Sequence, residues 1–260
     1  MKIGCNFNTS FEHSEPGDFL KSQWQKKEKS VVYLIYRWII AGFYTFSVIA
    51  SIITSAMRVE LPFYLIYLTH WNLIFTMLTM LLHAYLVTLH QTDRLKVGDK
   101  MTRDLKLYWF LSTTSNVYAF LVSLIYWNIL YKTELNVIDM NNIIVHATNS
   151  LVLIIDMAGV KHIGRLGLFV YPLCCGLIFL FFTWLYPFLG GKNRRGHNYI
   201  YPILDWKKKP ITAIYAGIGV TIGGVIVHCS VIIVHKIRAY IHKKCVATKY
   251  EITEFSTLTC

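Results

Sequence analysis

The sequence predicts an all-α, polytopic membrane protein with six transmembrane helices, and three observations lead there. More than half of the residues are apolar and only 15% are charged. The apolar residues come in long runs, of the length needed to cross a hydrocarbon core about 30 Å thick. Lys and Arg are shared unequally between alternate loops.

The runs are Val31–Thr54, Phe63–Leu89, Leu107–Tyr131, Val137–Gly159, Leu166–Leu189 and Ile211–His235. Each is about 20 residues or longer, so a helix can satisfy its own backbone where water is absent. This divides the chain into an N-terminal tail (1–30), a six-helix domain (31–235) and a C-terminal tail (236–260). The first thirty residues mix Lys21, Lys26, Lys27 and Lys29 with Glu12, Glu15, Asp18 and Glu28. They lack the apolar core of a cleavable signal, so the first run is expected to act as an uncleaved anchor.

The basic residues set an orientation. The N-terminal side with Arg37, the second loop, the fourth loop and the C-terminal tail hold 18 of the 26 Lys and Arg residues. Both termini are therefore expected in the cytoplasm. The formal charge of +12 is spread over loops and not gathered into one patch. It fits anionic lipid heads and does not suggest nucleic acid. Between the fifth and sixth runs, Gly190–Pro210 is expected to form an ordered outer cap, because Tyr199, Tyr201 and Trp206 suit an interface and Pro202 and Pro210 restrict the backbone.

The six cysteines do not read as a disulfide framework. Cys174, Cys175 and Cys229 fall within apolar runs, and Cys5, Cys245 and Cys260 fall in tails expected in a reducing compartment. Cys245 follows Lys243 and Lys244 just past a span, as palmitoylation sites do.

Polar residues within the runs recur at helical spacing. On the second run they are Thr69, Asn72, Thr76, Thr79, His83 and His90; on the fourth, Asp139, Asn142, His146, Asn149 and Asp156. Each set makes one helix face, which should look toward the bundle interior. Interhelical hydrogen bonding accounts for most of the Ser, Thr and Asn members. Thr69 and His146 stand apart because their depths agree: both helices enter from the outer side, and at about 1.5 Å per residue Thr69 lies about 9 Å in and His146 about 14 Å in. A threonine hydroxyl becomes a nucleophile when a neutral imidazole takes its proton. Asn72 or Asn149 could stabilise an oxyanion.

Tyr67-Leu68-Thr69-His70-Trp71-Asn72, Val145-His146-Ala147-Thr148-Asn149-Ser150 running to Asp156, and Gly190-Gly191 followed by Tyr199-Ile200-Tyr201-Pro202-Ile203-Leu204-Asp205-Trp206 resemble the rolling stone family. The resemblance runs from about Arg37 to the sixth run. It implies a multi-pass membrane protein associated with myoblast fusion. The family is distantly similar to the androgen-induced membrane hydrolases, which cleave fatty acid esters of hydroxy fatty acids with a threonine and a histidine. That likeness implies Thr69 as nucleophile and His146, ten residues before Asp156, as base. Ile143 stands where the hydrolases carry a second histidine.

Two functional classes follow: an intramembrane threonine hydrolase of fatty-acid esters without cofactor, with membrane lipids as partners, or a non-enzymatic protein of cell fusion or adhesion. A bis-histidine haem carrier would need histidines paired at one level on neighbouring helices, and the third and fifth runs have none. A zinc site would need a close histidine pair, which is also missing. His228 and His235 read as bundle or interfacial histidines, and Ala213, Gly217, Thr221 and Gly224 as a close-packing stripe.

The orientation makes one prediction. Asn8 begins the one Asn-x-Ser/Thr sequon, and a cytoplasmic N-terminus keeps it from the glycosylation machinery. Enzymatic deglycosylation should leave the mass of the native chain unchanged; a glycan on Asn8 would reverse the topology.

Overall fold

Lipid offers a peptide group no hydrogen-bonding partner, and the apolar segments among the described residues meet this constraint as helices. The computed structural model describes residues 8–130 and 143–258. Among these, α1 spans Val31–Met57, α2 Leu68–Gln91, α3 Arg103–Ile125, α4 Asn149–Gly159, α5 Val170–Phe188 and α6 Pro210–Leu258. Extended pairing is limited to an isolated bridge between Ser22 and Val160.

Local chemistry sets several of these boundaries. The Ser30 side chain accepts from the Tyr33 amide at the start of α1, and Thr102 accepts from Leu105 at the start of α3. The turn after α1 places Val59 at φ +58°, a left-handed conformation that a β-branched residue rarely adopts. It leads into a 3₁₀ turn, Leu61–Ile66, ahead of α2.

Four segments are long and apolar enough to cross a membrane: α1, α2, Leu166–Phe188 and Pro210–Ala247. Of the six expected spans, four meet this measure among the described residues. α3 is long enough, but its first turn holds Arg103, Asp104 and Lys106, and its middle holds Ser112 through Asn116. It packs against α2, α4, α5 and α6. Thr114 and Ser115 are wholly buried, so this helix faces protein more than lipid and does not need an apolar surface all round. The fourth apolar run is seen from Ile143 onward as a shorter helix. Its earlier part, with Asp139 and Asn142, lies outside the described residues.

The two stretches read as tails are partly folded. Residues 8–30 pack beneath the bundle, with Phe19 and Leu20 buried in a cluster with Leu105, Tyr108, Trp109 and Leu168. Gln23 N donates to the Gly159 carbonyl (2.9 Å) and Lys161 N to that of Lys21 (3.1 Å). The Trp24 indole donates to Ala158 O (2.7 Å) and stands edge-on to His242. Arg165 donates to the carbonyls of Ser10 and Glu12, and Lys106 pairs with the Glu12 carboxylate. The N-terminal segment, the second and fourth loops and the late turns of α6 therefore share one face, as the basic-residue pattern grouped them. α6 runs on past His235 without a break. In the fourth loop, burial beside His235 and Arg238 holds His162 well below the ordinary imidazole range, so it is neutral.

Arg37 shows the main difference from expectation. Counted with the cytoplasmic bases, its side chain is in fact fully buried, 2.6 Å from Asp156 of α4. Tyr36 Oη donates to the same carboxylate oxygen (3.3 Å), and the guanidinium lies against the Tyr33 and Tyr36 rings. The pair ties α1 to α4.

The opposite end is closed by residues 190–210. Asn193 Oδ1 accepts from the amides of Arg195 and His197, and Asp205 Oδ1 from that of Lys208. The Trp206 indole donates to Thr183 (3.2 Å), Arg194 pairs with Glu60 (3.2 Å), and Ile200 and Leu204 are buried. The loop is folded as a cap.

Two predictions follow. Removing one member of a buried ion pair strands the other charge at a cost of about 3–5 kcal/mol, while an apolar pair of similar volume is close to neutral. Asp156→Ala should therefore lower the melting temperature in detergent sharply, and the double variant Arg37→Met with Asp156→Leu should recover most of the loss. At the cap, trypsin should cut slowly at Arg194, Arg195 and Lys207–Lys209 in intact membranes. Tyr201→Phe, which removes the acceptor for the first amide of α2, should speed that cleavage.

Candidate functional site

Thr69 is the second residue of α2, and its neighbours fix where that helix begins. The preceding Tyr67 provides no side-chain cap; instead, Leu68 N donates to the Tyr201 hydroxyl of the cap at 3.0 Å. His70 Nδ1 donates to the Tyr64 carbonyl (2.6 Å) while its ring stacks on the Tyr64 ring at 3.8 Å. The Trp71 indole donates to Leu65 O (2.6 Å). A first turn normally has unsatisfied amides; here the 3₁₀ turn and the cap hold it in place. No hydrogen bond among the described residues engages the Thr69 hydroxyl.

Asn72 lies one turn further along the same face. It is 1% exposed, and neither atom of its amide has a partner among the described residues. Thr76 and Thr79, deeper on that face, turn their hydroxyls back to the carbonyls of Asn72 and Phe75, and His83 donates through Nε2 to Phe19 O (2.8 Å). The lower part of the stripe is thus engaged in packing. Its upper end is not.

His146 sits in a π-helical turn, Ile143–Thr148, that leads into α4. Such turns shift the register of the side chains that follow and recur at functional sites. Its carbonyl accepts from Ser123 of α3, whose hydroxyl also lies 2.7 Å from Ser150. Its ring stacks face to face on Tyr126, with centroids 3.6 Å apart and planes at 4°. Tyr126 begins a matching π-helical turn, Tyr126–Leu130, at the end of α3. Asn149 passes its carbonyl to Tyr44 Oη (2.9 Å), and Asp156 is engaged with Arg37.

Between α3, α5, α6 and the start of α2 is an apolar cavity. Thr69 and Tyr126 both line it; His146 stacks on Tyr126 and is not itself a lining residue. The structure thus brings Thr69 to the cavity and the His146 ring against one of its wall residues. None of the lining residues is charged. The other polar groups of the wall are used internally: Tyr118 Oη donates to Pro172 O (2.5 Å), Thr221 Oγ1 to Gly217 O (2.8 Å), and Tyr201 Oη accepts from Leu68 N.

Sequence reasoning missed two parts of this arrangement. Tyr126 carried no signal, because one aromatic near the end of an apolar run is ordinary. Gly217, Thr221 and Gly224, read as a packing stripe, also line the cavity, while a Cβ on Gly217 would stand 3.0 Å from Leu180 Cδ2, so this glycine does let α5 and α6 pack closely. Ala213 of the same stripe is fully buried and does pack. Arg37 had left a sign: a basic residue inside the first apolar run, with an acid inside the fourth. His228 and His235 are packing groups, the first donating to Arg165 O (3.2 Å) and the second accepting from Arg238 (3.2 Å). Among the described residues, no three His, Cys, Asp or Glu side chains converge as a metal site.

Comparison with known proteins agrees with the residues that suggested a family. No solved structure matches the chain. The protein rolling stone of Drosophila melanogaster is 32% identical over 210 residues, covering 76% of this chain and 75% of its own length. The family model described as protein rolling stone matches residues 4–252, and on that extent the chain belongs to the rolling stone family.

Proposed function

We propose that this protein is a six-span integral membrane protein with both termini in the cytoplasm, and that it hydrolyses fatty-acid esters within the bilayer using Thr69 as nucleophile and His146 as base. The observation that carries the proposal is the placement of Thr69, its hydroxyl unengaged among the described residues, in the wall of an uncharged cavity that is also lined by Tyr126, the ring on which His146 stacks. α3 and α4 supply the two spans beyond the four apolar ones. As inner helices they need less lipophilic surface.

The chemistry balances without a cofactor. Thr69 Oγ attacks the ester carbonyl as His146 takes its proton. The tetrahedral oxyanion collapses, the C–O bond to the alcohol breaks, and His146 returns the proton to the leaving alkoxide. Water, deprotonated by the same imidazole, then cleaves the acyl-threonine, releasing the fatty acid and restoring the hydroxyl. Asn72 Nδ2, on the face that carries Thr69, is the donor assigned to the oxyanion.

A second reading has its own support. Thr79 with Ser115, and Ser123 with Ser150, make polar contacts between helices, as they would in a non-enzymatic protein of cell fusion or adhesion.

The readings separate with purified full-length protein, fatty-acid esters and a fluorophosphonate probe. Thr69→Ala and His146→Ala should each abolish ester cleavage and probe labelling, because nucleophile and base act as a unit. Asn72→Ala should lower the rate by about 10²–10³, and Thr76→Ala should leave most of it. A wild-type protein that cleaves no ester and takes no label, while both variants fold and traffic normally, would establish the fusion or adhesion reading instead.

A further inference from the structure

Resting on that reading, we infer that the cavity is a ruler for a single uncharged acyl chain of about 10–14 carbons, seated with its ester at Thr69 and its methyl end at Gly224 and Val225. The length follows from the walls. The lining runs from Gly217 to Val225 on α6, from Val117 to Tyr126 on α3, and from Phe169 to Leu180 on α5. At 1.5 Å per residue these stretches are about 12–17 Å long. An extended chain advances about 1.2 Å per bond, the spacing that gives a stretched backbone its reach.

The cavity has a built end. Beyond Val225 the next turn of α6 is packed, with Val227 7% and His228 2% exposed, and Leu168 before Phe169 is fully buried. Val117, Tyr118, Leu121, Met157, Val227 and Val231 form one apolar cluster there. At the other end, Tyr201, Ile203 and Leu204 of the cap close over Thr69.

The wall also specifies the chemistry of the occupant. It holds no charge, and Tyr118, Thr221 and Tyr201 have spent their polar atoms on backbone groups. A carboxylate or phosphate placed at Thr69 would be buried without a counter-charge. A neutral ester is not. Nor can burial alone select the chain, since the lipid it leaves is as apolar as the cavity; selection comes from fit in a close-packed interior.

Glycines make the space. A Cβ on Gly224 would stand 3.8 Å from Leu121 Cδ2, an ordinary contact, so a larger side chain can enter there at the expense of the chain terminus. Gly219 has nothing within 4 Å and is not in the wall, which makes it a control for substitution on the same helix.

The experiment uses full-length Thr69→Ala protein in detergent, so that binding is read without turnover, and methyl esters of eight-, twelve- and sixteen-carbon acids carrying a terminal diazirine. Photolabelling should peak at twelve carbons, with adducts on peptides containing Leu173 or Val225. Gly224→Leu should cut twelve-carbon labelling by about tenfold or more and leave eight-carbon labelling intact, while Gly219→Leu changes neither. Leu121→Ala, which lengthens the space, should move the peak toward sixteen. The free acid of the twelve-carbon probe should label far less than its ester. Labelling that ignores chain length, is equal in the Gly224 and Gly219 variants, or is equal for acid and ester overturns the inference. A ruler found in a protein that cleaves no ester leaves the inference standing and removes the hydrolase.

Discussion

A guanidinium with no exposed surface, 2.6 Å from one carboxylate, is the interaction on which the rest of this bundle depends. Arg37 cannot be uncharged in a protein, so its burial demands a partner, and Asp156 of α4 is that partner. The bond reaches from the first helix to the fourth. Around it are the Tyr33, Tyr36 and Tyr108 rings, and close by are His83, His162 and His235. Arg238 completes the neighbourhood by donating to the carbonyls of Met157, Lys161 and His162. The result is a polar floor into which the N-terminal segment, the second and fourth loops and late α6 are all joined.

With one end fixed in this way, the other end can stay partly open. Toward the cap, the bundle is held by single hydrogen bonds and rings: Leu68 to Tyr201, His70 on Tyr64, Trp206 to Thr183. The apolar cavity lies between floor and cap, and both residues singled out for chemistry are at the cap end. This division is physically reasonable. On the proposed reading the cap end is where an acyl chain would enter, and the elements that open in a structure come from its less stable part.

The same contrast explains why the polar stripe of α2 has two characters. At Thr76, Thr79 and His83 its side chains are wholly buried: both hydroxyls bond back to carbonyls of α2, Thr79 also lies 3.5 Å from Ser115 of α3, and His83 ties the helix to the N-terminal segment. At Thr69 and Asn72 the polar groups lack such partners among the described residues. Groups left unpaired in a nonaqueous interior are costly to keep unless something else uses them.

The sequence by itself determined the helical class, the apolar segments, and, among the described residues, the grouping of loops on two faces and the inward turn of the polar stripes, because each is dictated locally. A helix repeats every 3.6 residues, and lipid excludes charge and unpaired backbone. Reading the family from short windows around Thr69, His146 and Tyr199–Trp206 worked for the same reason: the residues stand together in the chain. What only the tertiary structure decided depends on partners distant in sequence. Arg37 read as one more cytoplasmic base until Asp156, more than a hundred residues on, was seen beside it. α3 read as one more apolar span, and it took the structure to show that its polar middle is matched by the helices that surround it. Gly217 and Gly224 read as a packing stripe; Gly217 does admit Leu180 of α5 closely, yet the space at Gly224 belongs to a cavity closed by α3, α5 and a loop. Their spacing could state that the helix surface is small there; only the placement of the other walls decides whether a helix or an empty volume lies opposite.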